Sequence, residues 1–351
     1  SFTYLQELSQ EKSLHGQPIR LRLDIHNEQI LPYPMMKIRL ATPVWQEQRE
    51  LNFNLPARSH LSFDLTMQCP YRGQYDIGMT VIDFVDIFGL IRLPFDMRLL
   101  PYYRMKQLLV YPRLEEIEAL PLPTRTSQAF ARHRFATEDQ NEPFSTLRRY
   151  QAGDARKRIH WPVTVRLQTL MTRQFEEAAE PQILLILDLS PSDWPGEAAL
   201  QAADALCESA AGLMHYLLRQ NYLLNLTAIG AQTEQRQLSR LAEFQAQYHW
   251  LAMTEFSGSR QQFIRSLALI LEQSRSAQAI LVVTTHADRE IADLLLRQHR
   301  AGRPVFALFA GPIQSSADEE RLQHQLQQAG LITWRMHYGD TLSRQLTGPL
   351  R

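Results

Sequence analysis

From Arg20 to about Pro112 hydrophobic and polar positions alternate along the chain. Ile19, Leu21, Leu23 and Ile25 interleave with Arg20, Arg22, Asp24 and His26, and Leu61, Phe63, Leu65 and Met67 interleave with Ser62, Asp64 and Thr66. A period of two buries one face of an antiparallel strand and wets the other. Further short runs lie at 36–40, 51–55, 75–85, 90–93 and 108–111, separated by Pro, Asn and Gly signals with no helical stretch between them. The pattern predicts a β-sandwich of immunoglobulin-like type over residues 1–112.

Residues 113–178 break that rhythm. Leu120-Pro121-Leu122-Pro123 reads as a stiff extended piece, and residues 124–141 are polar with mixed charge, which predicts a long exposed connection holding the domain boundary. From Gln182 onward the period changes again. Residues 183–187 are a continuous apolar run, as expected of a strand covered on both faces. A helix over about 195–220 follows, with an apolar stripe of Ala203, Leu206, Cys207, Ala210, Leu213, Met214 and Leu217. Strands are predicted at 222–229, 279–284, 304–309 and 331–337, with helices near 259–274, 288–300 and 317–328 between them. Alternating β and α elements imply a doubly wound, mostly parallel sheet over residues 179–351, so the whole is an α+β multidomain chain.

Composition changes this picture little. At 351 residues the chain exceeds one usual core, and 44% hydrophobic with 21% charged residues is ordinary for a globular protein. Lys plus Arg equals Asp plus Glu at 37 each, so no overall field draws nucleic acid or an acidic surface. Cys69 and Cys207 belong to no CxxC or Cys/His cluster, which argues against zinc and a disulfide framework and for a reducing compartment. No run of about 18 apolar residues is present.

Two segments carry candidate chemistry. Asp188-x-Ser190-x-Ser192 places three oxygens on a turn at the carboxyl end of a buried strand, where open α/β sheets bind ligands. A metal ion-dependent adhesion site uses this arrangement, so Asp188, Ser190 and Ser192 are candidate Mg²⁺ ligands, with Ser259 and Asp288 as the partners such a site draws from two further loops. The plainer reading has Asp188 capping its own turn, with the two serines satisfying backbone groups. The second segment runs from Arg149 to Trp161. Arginines with a carboxylate between them form ion-pair networks, so Arg149, Tyr150, Asp154, Arg158, His160, Trp161 and Arg173 are expected to act as a structural clasp or a partner-binding surface. Stacking and phosphate contacts by residues 149–173 are the nucleic-acid alternative. No phosphate loop, dinucleotide fingerprint or nucleophile elbow occurs, and the expectation is a binding protein rather than an enzyme. A hydrolase or phosphotransferase centred on Asp188 is the alternative from another class.

The chain also resembles a known bacterial family. Tyr71-Arg72-Gly73-Gln74-Tyr75, Asp86-Ile87-Phe88-Gly89-Leu90, Val110-Tyr111-Pro112, Phe144, Leu147-Arg148-Arg149-Tyr150, Gly153-Asp154, Arg158-Ile159-His160-Trp161, Arg166 and Arg173 with Phe175-Glu176 run in the order of the family called domain of unknown function fifty-eight, and the Asp188 turn closes the series. It departs at Ile87, where that family often has Pro, and at Pro162, where a polar residue is common. The resemblance implies a von Willebrand factor A-like domain behind a β-sandwich. It also implies a tether of N-terminal transmembrane helices absent from this chain, a bacterial inner-membrane location facing the cytoplasm, and an assembly or chaperone-like role. The implied partners are a MoxR-type AAA+ ATPase and a client protein.

Overall fold

The alternating segments around 19–25 and 61–67 pair with each other. The computed structural model describes residues 2–42, 49–122, 146–150, 159–174, 182–274, 277–313 and 317–341. Its first nine strands are β1 (Phe2–Leu8), β2 (Lys12–Leu14), β3 (Pro18–Asn27), β4 (Tyr33–Ala41), β5 (Arg49–Leu55), β6 (Ser59–Gln68), β7 (Gly73–Val85), β8 (Arg92–Asp96) and β9 (Lys106–Tyr111). They form two sheets, one in the order β1-β3-β6 and one in the order β2-β9-β7-β4-β5, with β8 pairing β7. The β3–β6 register sets Leu21 opposite Leu65 and Leu23 opposite Phe63. Ile19, Leu21, Leu23 and Ile25 are fully buried against Met36, Ile38, Leu40, Ile77, Met79 and Val110 of the other sheet, so the period-two pattern is the inner wall of a shared core. Each such Leu or Ile contributes about 1.5–3 kcal/mol by leaving water. The strand expected at 90–93 begins two residues later, because Asp86–Ile91 close a turn.

The rest of the chain is α/β. A short hairpin of β10 (Thr146–Arg149) and β11 (Met171–Gln174) flanks α1 (Trp161–Leu167). Then follow β12 (Gln182–Asp188), α2 (Glu197–Arg219), β13 (Leu223–Ile229), β14 (Thr233–Leu238), α3 (Phe244–Met253), α4 (Arg260–Gln273), β15 (Ala279–Thr284), α5 (Arg289–Arg300), β16 (Val305–Gly311), α6 (Ala317–Gln328) and β17 (Ile332–His337). The sheet order is β14-β13-β12-β15-β16-β17, parallel except for β14. Ile183, Leu185 and Leu187 face α2 and α3, while Leu184 and Ile186 face α4 and α5. Cover on both faces is why β12 reads as an unbroken apolar run.

Residues 113–122 differ from the exposed connection expected of them. Ile117, Leu120 and Leu122 are buried in the core of α2 and its sheet face. The Leu122 N–H donates to the Leu120 carbonyl at 2.7 Å, a tight turn that brings both side chains under the same cover. Of the remaining connection, residues 123–145 lie outside the described residues.

A polar seam joins the two sheet systems. Helix α2 is buried on nearly every side because the sheet covers one face and the β-strand region the other, and Asp204 and Glu208 point into that second contact. The Arg72 N–H donates to Asp204 Oδ2 at 3.0 Å, and Arg72 Nη1 donates to the carbonyls of Leu251 (2.9 Å) and Thr254 (2.8 Å) at the end of α3. His15 Nδ1 lies 2.7 Å from Glu208 Oε1, and His15 Nε2 lies 2.8 Å from Tyr338 Oη. Tyr338 Oη gives its single proton to the Pro70 carbonyl, so it accepts from His15. Both His15 nitrogens are therefore donors, which makes the ring an imidazolium. The hydrogen bond to Glu208 accordingly holds the His15 pKa above its ordinary value.

Candidate functional site

The carboxyl ends of β12 and β15 bring Asp188, Ser190, Thr284 and His286 together. Asp188 has no exposed surface. Its Oδ1 accepts from the Ser190 N–H (3.0 Å) and from Ser190 Oγ (2.5 Å), and its Oδ2 accepts from Thr284 Oγ1 (2.6 Å). Thr284 Oγ1 also accepts from the His286 N–H at 3.0 Å, which fixes the loop after β15. His286 Nε2 lies 3.1 Å from Ser190 Oγ and 4.0 Å from Asp188 Oδ2. Ser190 Oγ has spent its proton on Asp188, so the contact needs Nε2–H as donor. Burial pushes the Asp188 carboxyl above the usual carboxylate range, against the opposing pull of His286 and the two hydroxyls. The cluster is a closed hydrogen-bond network tying the ends of neighbouring strands.

This network does not fit Mg²⁺. A hard cation needs several free oxygens in near-octahedral array, whereas the single carboxylate is fully buried and already held by three protein donors, and His286 beside it presents an N–H. Ser259 and Asp288 are engaged as helix caps, although Asp288 shares a small cavity with His286. Ser259 caps α4, accepting from the Gln262 N–H at 3.3 Å. Asp288 caps α5, accepting from the Glu290 N–H at 2.9 Å, and its other oxygen pairs with Arg260. Both are N-terminal residues of helices whose first amides lack intrahelical acceptors, and that demand outranks metal ligation here. Among the described residues no three His, Cys, Asp or Glu side chains gather as a metal centre would need.

Ser192 behaves differently. Its Oγ is buried with no protein partner, and so is Thr285 Oγ1. Both line a cleft of about 930 Å³ between the β-strand region and the α/β sheet. Tyr71, Arg72 and Tyr75 form one wall, Leu200, Ala203 and Asp204 of α2 another, and Met253 to Phe256 a third. Thr285 also borders a smaller cavity of about 210 Å³ with Asp193, Arg260, His286 and Asp288. The loops are held by close backbone approach: the Ser257 N–H donates to the Leu189 carbonyl (2.8 Å), and Gly258, at φ +92°, lies where a Cβ would be 2.7 Å from the Gly230 carbonyl carbon.

The expected clasp is described only in part. Asp154 and Arg158 lie outside the described residues, and Arg173 is fixed by its backbone, paired with Leu147. Arg149 ends β10, and the Tyr150 N–H donates to the Leu170 carbonyl at 2.8 Å, closing the hairpin. His160 caps α1, its Nδ1 accepting from the Val163 N–H at 3.3 Å, and it is buried. Trp161 is 60% exposed. As the first residue of a seven-residue helix whose side chains are all at least partly exposed, it has no core to enter.

Residues 146–290 match the family described as Protein of unknown function DUF58. That span runs from β10 to the first turn of α5 and contains the Asp188 turn and the Thr284–Asp288 loop. No curated protein matches the chain. Similar solved structures include the conserved hypothetical protein BatB from Bacteroides thetaiotaomicron, 13% identical over 46% of this chain and 93% of that one, with a TM-score of 0.30. The sporulation control protein Spo0M from Bacillus subtilis is 13% identical over 43% of this chain and 58% of its own, at 0.19. A beta-glucosidase from Listeria innocua is 10% identical over 31% of this chain and 16% of its own, also at 0.19. Likenesses this distant carry no argument about fold or activity.

Proposed function

We propose that the chain is a non-enzymatic docking module that receives an extended segment of a protein partner in the cleft beyond the carboxyl ends of β12 and β15. The observation that carries the reading is the pair of buried hydroxyls, Ser192 Oγ and Thr285 Oγ1, that have no protein partner yet line the cleft. An unmet buried hydroxyl costs about 1–3 kcal/mol, and a carbonyl or carboxylate on an entering chain would meet it. The aromatic and aliphatic wall of Tyr71, Tyr75, Leu200 and Phe256 suits the apolar part of such a segment.

The finer fold belongs to the same proposal: an immunoglobulin-like sandwich followed by a von Willebrand factor A-like domain, supported by the two-sheet core and the strand order. The partner we propose, from the family resemblance, is a MoxR-type AAA+ ATPase with a client protein, met by a chain tethered at the cytoplasmic side of the bacterial inner membrane. Mg²⁺ held by Asp188 is not part of this reading. The complete burial of Asp188 behind the Ser190 and Thr284 hydroxyls favours docking over a hydrolase or phosphotransferase centred there, since a nucleophile must reach its substrate. Balanced charge favours a protein over nucleic acid.

The test is affinity for a purified MoxR-type ATPase from the same organism. Ser192→Ala with Thr285→Val is expected to weaken binding about tenfold, the worth of one or two hydrogen bonds. Equal affinity would move the interface off this cleft, and phosphoester hydrolysis abolished by Asp188→Asn would replace the docking reading with group transfer.

A further inference from the structure

The β-strand region carries an apolar tip that the docking cleft does not use. Ile87, Phe88, Leu90 and Ile91, in the turn between β7 and β8, are 59–83% exposed. The neighbouring turn between β3 and β4 adds Ile30 and Leu31, at 74% and 72%. The register brings the two turns to one end of the sheet, because Met35 of β4 lies opposite Val85 of β7. Strand β1 also starts there, with Phe2 opposite Asn27 and its ring 5.7 Å from that of Phe84.

Each turn is tied at its base by side-chain and backbone hydrogen bonds. The Asp86 carboxylate accepts from the amides of Phe88 (3.2 Å) and Ile91 (2.7 Å), and the Gly89 N–H donates to the Asp86 carbonyl at 3.0 Å. In the other turn, Asn27 Nδ2 donates to the Leu31 carbonyl at 3.0 Å and Asn27 Oδ1 accepts from the Gln29 N–H at 3.0 Å. A polar side chain at the base of each turn thus occupies backbone groups that would otherwise require water, leaving apolar side chains outermost. Such wiring is what a loop needs to leave water for lipid, where unmet backbone groups are costly.

We infer that this end of the molecule inserts its two turns into the interfacial layer of a lipid bilayer. The hydrogen-bonded base of each turn points to lipid: a bilayer asks only for apolar side chains reaching about 5–10 Å deep, and the exposed apolar surface runs on from the turns to Leu93 and Phe95 of β8. The turns present no cluster of cations, so apolar burial and not anionic lipid supplies the attraction. This inference is independent of the docking cleft, and its tests do not involve the ATPase.

The experiment is flotation of the whole chain with phosphatidylcholine vesicles. Wild type is expected to float, with little change as salt rises from about 0.05 to about 0.5 M. Phe88→Asp and Leu90→Asp should each lower partition by about tenfold or more, Phe88→Leu should retain it, and Val165→Asp, at an exposed apolar site on α1, should leave it unchanged. Because Phe88 and Leu90 are exposed, unchanged melting curves will show that the Asp variants remain folded. A wild type that stays with the pellet, or Asp variants that float equally well, would overturn the inference. Self-association lost in the Asp variants, with no flotation of wild type, would overturn it in favour of a contact between copies.

Discussion

Asp204→Asn is expected to flatten the pH dependence of folding. Burial drives the Asp204 carboxyl from an ordinary 3.8 up to about 7, against the pull of Arg72, with Glu208 one turn along α2 adding to the rise. The groups facing it are Arg72, Glu208 and His15, with the hydroxyls of Tyr71, Tyr75 and Tyr338 near enough to feel its charge. An acid raised on folding binds its proton more tightly in the native state, so its contribution is fully present below pH 3.8 and is lost as pH rises through about 7. The total is roughly 4 kcal/mol, of which roughly 2–3 kcal/mol falls between about pH 5 and 8. His15 acts in the same sense, because its raised pKa means that the imidazolium bridging Glu208 and Tyr338 is lost on the alkaline side. Urea unfolding followed by tryptophan fluorescence at pH 5, 6, 7 and 8 would measure the slope. Wild type should lose stability across that range, Asp204→Asn should lose most of the slope, and Asp204→Asn with His15→Gln should be nearly flat. A single variant with the wild-type slope would refute the assignment of that slope to the seam between the two sheet systems.

Four other outcomes follow from the same geometry. Thr285→Val removes a buried hydroxyl that has no partner, so it should raise stability by about 1 kcal/mol while weakening partner binding, and a fall in melting temperature would refute the reading. Asp188→Ala strands the hydroxyls of Ser190 and Thr284 together with the Ser190 amide, and should cost about 3 kcal/mol in urea unfolding with or without Mg²⁺. Gly258→Ala forces a side chain to φ +92° and onto the Gly230 backbone, and should cost at least about 2 kcal/mol by the same assay. Trp161→Ala, at an exposed site, should stay within about 0.5 kcal/mol of wild type in melting.

Most strands and most helices were legible because one-sided burial writes its period into the chain, whereas β1, β10, β11, β14 and α1 were not read from it. Leu21, Leu23 and Ile25 announce a sheet face, and the unbroken run in β12 announces cover on both sides. Strand β2, three residues long, and helix α3, with apolar residues on no single stripe, left too weak a signal. At the candidate site the Asp188 turn was recognisable from its spacing, but the completing residues were not. The Thr284–Asp288 loop does meet the turn, through Thr284 and His286. Asp288, the residue that ligand chemistry singled out, turns away to cap α5 and meet Arg260. Spacing says which loop arrives; only the competing demand of a helix start says which side chain stays behind.

The seam was hidden for a different reason. The stripe of Ala203, Leu206, Ala210 and Leu213 along α2 assumes that the opposite face is wet, and Asp204 and Glu208, four residues apart, look like ordinary solvent-facing acids. The structure sets the β-strand region against that face, so both acids are buried and each finds its partner more than a hundred residues away, in Arg72 and His15. Two acids one turn apart, flanked by Cys207, Ser209 and Ala211 rather than by Lys or Arg, are a poor solvent face. Such a face lacks the long charged side chains that keep an exposed helix in water. That shortage of long cations beside the acids was the available signal. It marks a helix whose second face belongs to another layer, and it explains why truncating the Arg72 side chain should do more than loosen its ion pair with Asp204, where Nε lies 3.5 Å from Oδ1: it would free the end of α3 and open the cleft wall that Tyr71 and Tyr75 form.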